Sequence, residues 1–401
     1  MYQFIENGTV TSVKGFKAAG IHSGIKKRKK DLALIYSELP CTAAGTFTIN
    51  KVKAAPLLIS KQAISGKKPV KAVLVNSGNA NACTGKEGHE DAKLTQKHCA
   101  ELLGVKPGEV LVSSTGVIGK RLPMDTFLSG IEKIVPLLSG EGGLDAAQAI
   151  MTTDKKMKSY ALKVKLEGGS VKIGAICKGS GMIMPNMATM LAFVTTDAKI
   201  SQALLQKTLK KSVQNTFNKI SVDGETSTND MVVVMANGVS GVTIKAGSKN
   251  EALFQEALEA LSRKMAKAIV SDGEGATKLV TVNVTGAKTD KDANLVGKAI
   301  ANSALVKTAV YGRDANWGRI MSAAGMSGAQ LDPAKVTISF DSLPILLPEY
   351  KIVLDEEKAL AVLSRDEFEI NINLGSGKKS STWYTCDFTE DYIKINADYR
   401  T

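Results

Sequence analysis

Histidine is nearly absent from this chain: His22, His89 and His98 are the only three in 401 residues. That scarcity leaves little room for a His-rich metal centre, and any nucleophilic chemistry must find a base other than imidazole. Aromatic residues make up only 5%, too few for a surface that stacks bases or sugar rings. The five cysteines (Cys41, Cys83, Cys99, Cys177 and Cys386) are odd in number, scattered, and form no CxxC pair. This argues against a disulfide framework or a zinc knuckle and for a reducing compartment. The longest apolar stretch, Met182 to Val194, contains Pro185 and Asn186 and is too short to span a bilayer. The start has no basic segment followed by an apolar one. No membrane partner and a cytoplasmic location are therefore expected. Phosphate loop, dinucleotide fingerprint, HExxH and GxSxG are all missing.

What is present suits a globular protein, with 44% hydrophobic and 23% charged residues. At roughly 150 residues per domain, the length predicts two or three domains. Lys and Arg number 52 against 39 Asp and Glu, a net charge of +13. The obvious basic run, Lys26 to Lys30, falls between strand-like Thr9–Ile25 and apolar Leu32–Tyr36. It reads as a solvated hairpin turn, with a polyanion site as the alternative. Anionic small molecules would gain equally from the positive field.

Elements alternate along the chain. Val70–Val75 reads as a buried strand, followed by a Gly/Asn-rich loop (Asn76–Gly85) and a helix from Glu90 to Leu103. Val110–Val112 is a second strand, leading into a polar turn, Ser113–Gly116. Phe254, Leu258, Leu261 and Met265 form one stripe of an amphipathic helix. Leu279–Val284 is strand-like and Asp292–Lys307 helical. Mixed α/β layers are the expected architecture. Ser113–Gly116 and Ser221–Asp230 are richer in hydroxyls and carboxylates than a connector needs, although each also reads as an ordered turn. Met231, Cys83 and the Trp317 region read as packing residues.

One segment offers a base that is not imidazole. In Lys178-Gly-Ser-Gly-Met-Ile-Met-Pro-Asn-Met-Ala-Thr189, a flexible stretch and a Pro-Asn turn lead to Ala188-Thr189. If the peptide bond before Thr189 is broken, the freed α-amine belongs to the same residue as the hydroxyl. Its reference pKa of about 7.7–8.0 leaves an appreciable neutral fraction near pH 7. It can then serve as general base to that hydroxyl, and a Lys178 ammonium nearby would lower its pKa further. The same hydroxyl can break the bond, by attack on the Ala188 carbonyl and hydrolysis of the resulting ester. On spacing alone, a Met-rich buried loop entering a strand, Thr189–Thr195, is the better reading of this segment.

Lys178-Gly-Ser-Gly-Met-Ile183, Met187-Ala-Thr-Met-Leu191, Ser114-Thr-Gly-Val-Ile-Gly119 and Asn76-Ser-Gly-Asn-Ala-Asn81 closely resemble motifs of one family. So do Asp272-Gly-Glu-Gly-Ala-Thr-Lys278, Asp314-Ala-Asn-Trp-Gly-Arg319 and Ile395-Asn-Ala-Asp-Tyr-Arg-Thr401. The family is the ornithine acetyltransferase (bifunctional glutamate N-acetyltransferase) family of arginine biosynthesis, and the matches run in order over essentially the whole chain. Ala315 is a departure, standing where the family motif has proline.

The resemblance implies two mixed α/β layered domains of the self-cleaving ornithine acetyltransferase type. It implies cleavage at Ala188/Thr189 into an α chain (1–188) and a β chain (189–401), assembled as α2β2. Thr189 would be both cleavage nucleophile and acetyl carrier. Thr115, by its side chain, and Gly116, by its backbone N–H, would form the oxyanion hole. Substrate contacts would come from Thr152, Lys178, Thr189, Glu274, Asn396 and Thr401, with Thr152 not separable from Thr153 by register. The implied reaction moves acetyl from N2-acetylornithine to glutamate through acetyl-Thr189. No metal or bound cofactor and no nucleic-acid partner are expected, and the resemblance leaves open acetyl-CoA as a second donor. The competing readings are an aminopeptidase or amidase on a related scaffold, in which water takes the acyl group, and a basic nucleic-acid-binding protein.

Overall fold

The computed structural model describes residues 1–184 and 190–397. Two compact units emerge. The described residues of Met1–Ser180, Asn186–Asn218 and Glu225–Met265 form the first; those of Gly181–Pro185, Lys219–Gly224 and Ala266–Thr401 form the second. Both are mixed α/β, and neither follows a single continuous stretch of chain.

In the first unit, nine strands among the described residues share one sheet. Along it run Tyr2–Ile5, Lys158–Leu166, Gly169–Lys178, Leu191–Thr196, Met231–Ala236, Leu32–Phe47, Val70–Asn79 and Val110–Val117, with Phe16–Ile21 paired to Leu32–Phe47. The central strands are apolar at consecutive positions because both faces are covered. Leu34 and Leu74 pack with Cys99, Phe127 and Ile131 on one side. Their neighbours Ile35, Val73 and Val75 join Ile150, Phe193 and Val233 on the other.

Two pairs in this sheet are parallel: Val70–Asn79 with Val110–Val117, and Leu191–Thr196 with Met231–Ala236. A parallel pair needs a crossover. The helix Gly85–Leu103 lies in the first crossover and Gln202–Asn215 in the second. These pairs bring chain segments distant in sequence to common strand ends.

The second unit has a seven-stranded sheet, ordered Ile220–Ser221, Lys379–Cys386, Leu279–Ala287, Glu367–Asn373, Thr337–Phe340, Leu343–Leu347 and Lys351–Ile352. Its strands alternate. Val280, Val282, Ile338, Ile370 and Ile372 bury against Ala293, Val296 and Ile300 of the helix Asp290–Asn302. Between them, Asn283 donates to Asn371 Oδ1 at 2.9 Å and accepts from Thr382 at 2.9 Å.

Several sequence expectations need correction. Ser113–Gly116 is not a turn but the end of a strand, and Asn76–Asn79 likewise continues its strand. Polar, glycine-bearing strings signal turns when taken alone; here each supplies the other's ladder partners. The strand-like Thr9–Ile25 reduces to Phe16–Ile21, preceded by a 3₁₀ turn at Val10–Ser12. Asp292–Lys307 divides into helices Asp290–Asn302 and Ala304–Gly312, because the Ser303 side chain accepts the Val306 N–H and caps a new helix. Cys83 is exposed rather than packed. The basic run does occupy a hairpin connection, but Lys26 is only partly exposed: its Nζ donates inward to Met151 O at 2.6 Å.

Candidate active site

In the first unit the paired strand ends set Asn76 opposite Ser114, Ser77 opposite Thr115 and Gly78 opposite Gly116. The register then slips, with Asn79 facing both Thr115 and Val117. Such an irregularity re-aims side chains at a sheet end. Thr115 is buried. Gly116 has φ +134°, and a Cβ there would fall 2.3 Å from the Gly78 carbonyl carbon, so only glycine fits. Ser114 Oγ donates to Asn76 Oδ1 at 2.5 Å, and Asn76 Nδ2 to Asn79 O at 2.9 Å, which stiffens both strand ends. A threonine hydroxyl and the next residue's N–H are the kind of adjacent donors an acyl-transfer oxyanion needs.

The polar segment ahead of strand Met231–Ala236 binds to this corner. Thr48 Oγ1 donates to Ser227 O at 2.7 Å and Ala54 N–H to Thr228 O at 3.0 Å. Asn229 spends both amide hydrogens, on Ala80 O and Ser114 O, each at 2.7 Å. Asp230, the next residue, is fully buried and accepts the Met190 N–H on Oδ1 at 3.1 Å. Among the described residues its Oδ2 has no hydrogen-bond partner. Burial drives its carboxyl pKa well above the usual range, outweighing the Met190 N–H, the Thr48 hydroxyl and the Lys178 ammonium, a shift toward the neutral acid.

Lys178 ends the strand Gly169–Lys178 and pairs with Leu191, two residues beyond Thr189. It is buried within a charged cluster around Asp154. Asp154 Oδ1 accepts from Lys158 Nζ at 2.7 Å and from Gly179 N–H at 2.9 Å. Its Oδ2 accepts the Thr152 N–H at 3.0 Å and lies 3.9 Å from Lys178 Nζ. Burial would raise the Asp154 pKa, but Lys178, Lys158 and the Thr152 N–H hold it well below the carboxylate range. Lys26 stands near enough for its pKa to be lowered to about 8, chiefly by burial, with Lys178 adding repulsion and Asp31 opposing both. Thr152 and Lys178 therefore share one aspartate, in a field weighted toward positive charge.

In the second unit, Asn396 Nδ2 donates to Glu274 Oε2 at 2.9 Å and to Tyr392 O at 3.0 Å. Glu274 lies so close to Gly181 that a Cβ there would fall 2.2 Å from Oε2. Asp223 accepts the N–H groups of Met182 at 2.6 Å and Ile183 at 2.8 Å, fixing the segment just beyond Gly181. The structure thus joins Glu274 with Asn396 in this unit, and separately Thr152 with Lys178 in the other. Ala188, Thr189 and Thr401 lie outside the described residues.

Sequence reasoning missed Asp154, Lys158, Asn229 and Asp230. The Asp154/Lys158 spacing suggests a helical ion pair, yet Lys158 opens a strand and its aspartate precedes it. Asn229 and Asp230 belong to a cluster conspicuous for its carboxylates and hydroxyls. Nothing local distinguishes them from a satisfied turn, because their partners lie at 80, 114 and 190.

Among the described residues no helix is long and apolar enough to cross a membrane. Residues 17–401 match the ArgJ family model. The chain is 49% identical over 406 residues to the arginine biosynthesis bifunctional protein ArgJ of Caldanaerobacter subterraneus, covering 99% of this chain and 100% of that one. It is 48% identical to ArgJ 1 of Clostridium acetobutylicum, covering 99% and 98%. Among solved structures, ArgJ of Bacillus halodurans has a TM-score of 0.45 at 43% identity, over 47% of this chain and 98% of that one. Ornithine acetyltransferase of Mycobacterium tuberculosis, complexed with ornithine, has a TM-score of 0.43 at 38% identity, over 46% and 98%. Matched from residue 17 to residue 401, and nearly half identical to relatives over their full length, the chain belongs to the ArgJ family.

Proposed function

We propose that this enzyme of arginine biosynthesis moves the acetyl group of N2-acetylornithine to glutamate through an acetyl-Thr189 ester. The precursor first cuts itself. Thr189 Oγ attacks the Ala188 carbonyl, the C–N bond breaks as an ester forms, and water hydrolyses that ester. The products are an α chain (1–188) ending in a carboxylate and a β chain (189–401) beginning with a free amine.

Turnover reuses the same two atoms. The Thr189 hydroxyl attacks the acetyl carbonyl while its α-amine takes the hydroxyl proton. The tetrahedral oxyanion is held by the Thr115 hydroxyl and the Gly116 N–H. As the C–N bond breaks, the proton passes to the departing nitrogen of ornithine. The α-amine of glutamate then attacks the ester, and N-acetylglutamate leaves. Substrate contacts are assigned to Thr152, Lys178, Thr189, Glu274, Asn396 and Thr401. The ammonium of Lys178 suits a carboxylate and the carboxylate of Glu274 suits the side-chain amine of ornithine.

The observation that best supports this reading is the ladder register that puts Lys178 opposite Leu191, beside the chain just past Thr189. A buried cation there favours the neutral form of a nearby amine and so its action as base. All five cysteines are free thiols, in keeping with a cytoplasmic setting, and the cut chains are proposed to assemble as α2β2. Acetyl-CoA as a second acetyl donor fits the name "bifunctional" that the relatives carry. No metal or bound cofactor takes part in the scheme.

Transfer is tested by incubating purified enzyme with N2-acetylornithine, with and without glutamate. Glutamate-dependent ornithine release, matched by N-acetylglutamate and without free acetate, is expected. Release of ornithine and acetate without glutamate would instead identify a hydrolase.

A further inference from the structure

Cutting the chain before Thr189 creates a mechanical problem. The nucleophile becomes the first residue of a chain, and chain ends fray unless they are tied down. Its position then depends on the residues on its C-terminal side. Two bonds secure Met190: its N–H donates to Asp230 Oδ1 at 3.1 Å, and its C=O accepts the Met231 N–H at 3.2 Å. The parallel ladder starts one residue later, at Leu191. Among the described residues, the Asp230 carboxyl is thus the side-chain tie at Met190, the first described residue after Thr189 on the side that survives cleavage.

We propose that Asp230 is a positioning residue for the Thr189 nucleophile, holding the start of the β chain by its Oδ1 as a neutral acceptor, in concert with Asn229, which holds the oxyanion strand. This rests on the assignment of Thr189 above. The two consecutive side chains reach two different strands: Asn229 binds Ser114 O, one residue before Thr115, and Asp230 binds Met190 N–H, one residue after Thr189. A single segment, itself fixed through Thr48 and Ala54, thereby ties Met190 to Ser114, the chain neighbours of the proposed nucleophile and oxyanion donor. Rate is sensitive to such spacing, since a misplacement of 1 Å costs on the order of a hundredfold.

The charge state matters as well. Successive backbone nitrogens are at most about 3.7 Å apart, so with Oδ1 3.1 Å from the Met190 nitrogen an ionised Asp230 would stand within about 7 Å of the new amine. It would stabilise the ammonium and weaken the base. Full burial, with Oδ2 unpartnered among the described residues, favours the protonated acid, which keeps the Oδ1 acceptor without that penalty.

The test compares Asp230→Asn and Asp230→Leu with wild type and Thr189→Ala, measuring cleavage, kcat and KM for N2-acetylornithine and the melting transition. Asn keeps a neutral acceptor, so cleavage and kcat should stay within about tenfold of wild type. Leu removes the acceptor at similar volume; cleavage should slow, and in the cut fraction kcat should fall by about a hundredfold with KM nearly unchanged. If the Leu protein does not melt cooperatively, Asp230→Ala takes its place with the same expectation. A folded Leu or Ala variant with wild-type rates, beside an inactive Thr189→Ala, would overturn the role of Asp230 alone. An Asn variant as impaired as Leu would overturn the neutral-acceptor account. Activity in Thr189→Ala would instead remove the assignment on which the proposal stands.

Discussion

Two basic regions of this protein behave in opposite ways. Lys26 to Lys30 is five consecutive cations and dominates the charge pattern of the sequence. In the structure Lys27, Arg28 and Lys29 of that run are exposed. The turn itself is organised by the buried Asp31, which accepts the N–H groups of Ser23 at 2.6 Å and Lys26 at 2.8 Å. Lys158 and Lys178, by contrast, lie apart in sequence and belong to no charge run, yet both are buried against Asp154. Screened charge at the surface is worth little, whereas buried charge must be matched by a partner and is costly to disturb. The cations of the run form a turn at the surface, and the scattered ones form a buried charged cluster around Asp154. Lys26 alone belongs to both regions.

The contrast can be broken by substitution. Lys178→Met should have the largest effect, lowering kcat/KM by about thirtyfold or more, since losing one partner of a buried charged contact costs ~2–5 kcal/mol; steady-state kinetics with N2-acetylornithine checks this. Asp154→Asn should destabilise the fold by about 3–5 kcal/mol, because it leaves buried lysines short of a counter-charge; urea unfolding reads it. The sign with pH comes from the depressed pKa of Asp154. Its contribution is complete above the unfolded carboxyl value and drains away as pH falls toward the folded one, so the wild-type advantage over Asp154→Asn should shrink in acid.

The smallest effects belong to the hairpin turn. Lys26 holds its proton less tightly when folded, its pKa lowered from 10.5 to about 8. The unfolded chain therefore binds more protons between those values, and Lys26 makes stability rise with pH across that window. Lys26→Met should flatten that rise in melts taken from about pH 8 to 10. Changing Lys27, Arg28 and Lys29 together to Gln should leave stability within about 0.5 kcal/mol per site and leave the transferase rate unaltered. A large loss of activity in that triple variant would erase the distinction between the two regions.

Elements with local signals were legible in the sequence. The stripe Phe254, Leu258, Leu261, Met265 is fully buried in the helix Lys249–Ser271, and Val70–Val75 is a buried strand. Ser113–Gly116 reads as a turn because its conformation is set by a partner strand at Asn76–Asn79, and no short-range propensity carries that information. The motifs of the resemblance singled out Thr115, Gly116, Lys178, Glu274 and Asn396 as site candidates. What those residues lean on stayed hidden: Asp154 beneath Lys178, Asn229 behind Ser114, and Asp230 at Met190. Each support is a long-range polar contact, and the residue types involved are common in ordinary turns. The pairing of Glu274 with Asn396 spans 122 positions and was equally invisible.

The most direct test is the intact mass of the freshly purified protein under denaturing conditions. Two species should appear, one ending at Ala188 and one starting at Thr189, and Thr189→Ala should give a single full-length species without transferase activity. A wild-type sample that is fully active yet runs as one uncut chain would contradict the central claim, because the α-amine proposed as the base would never have been released.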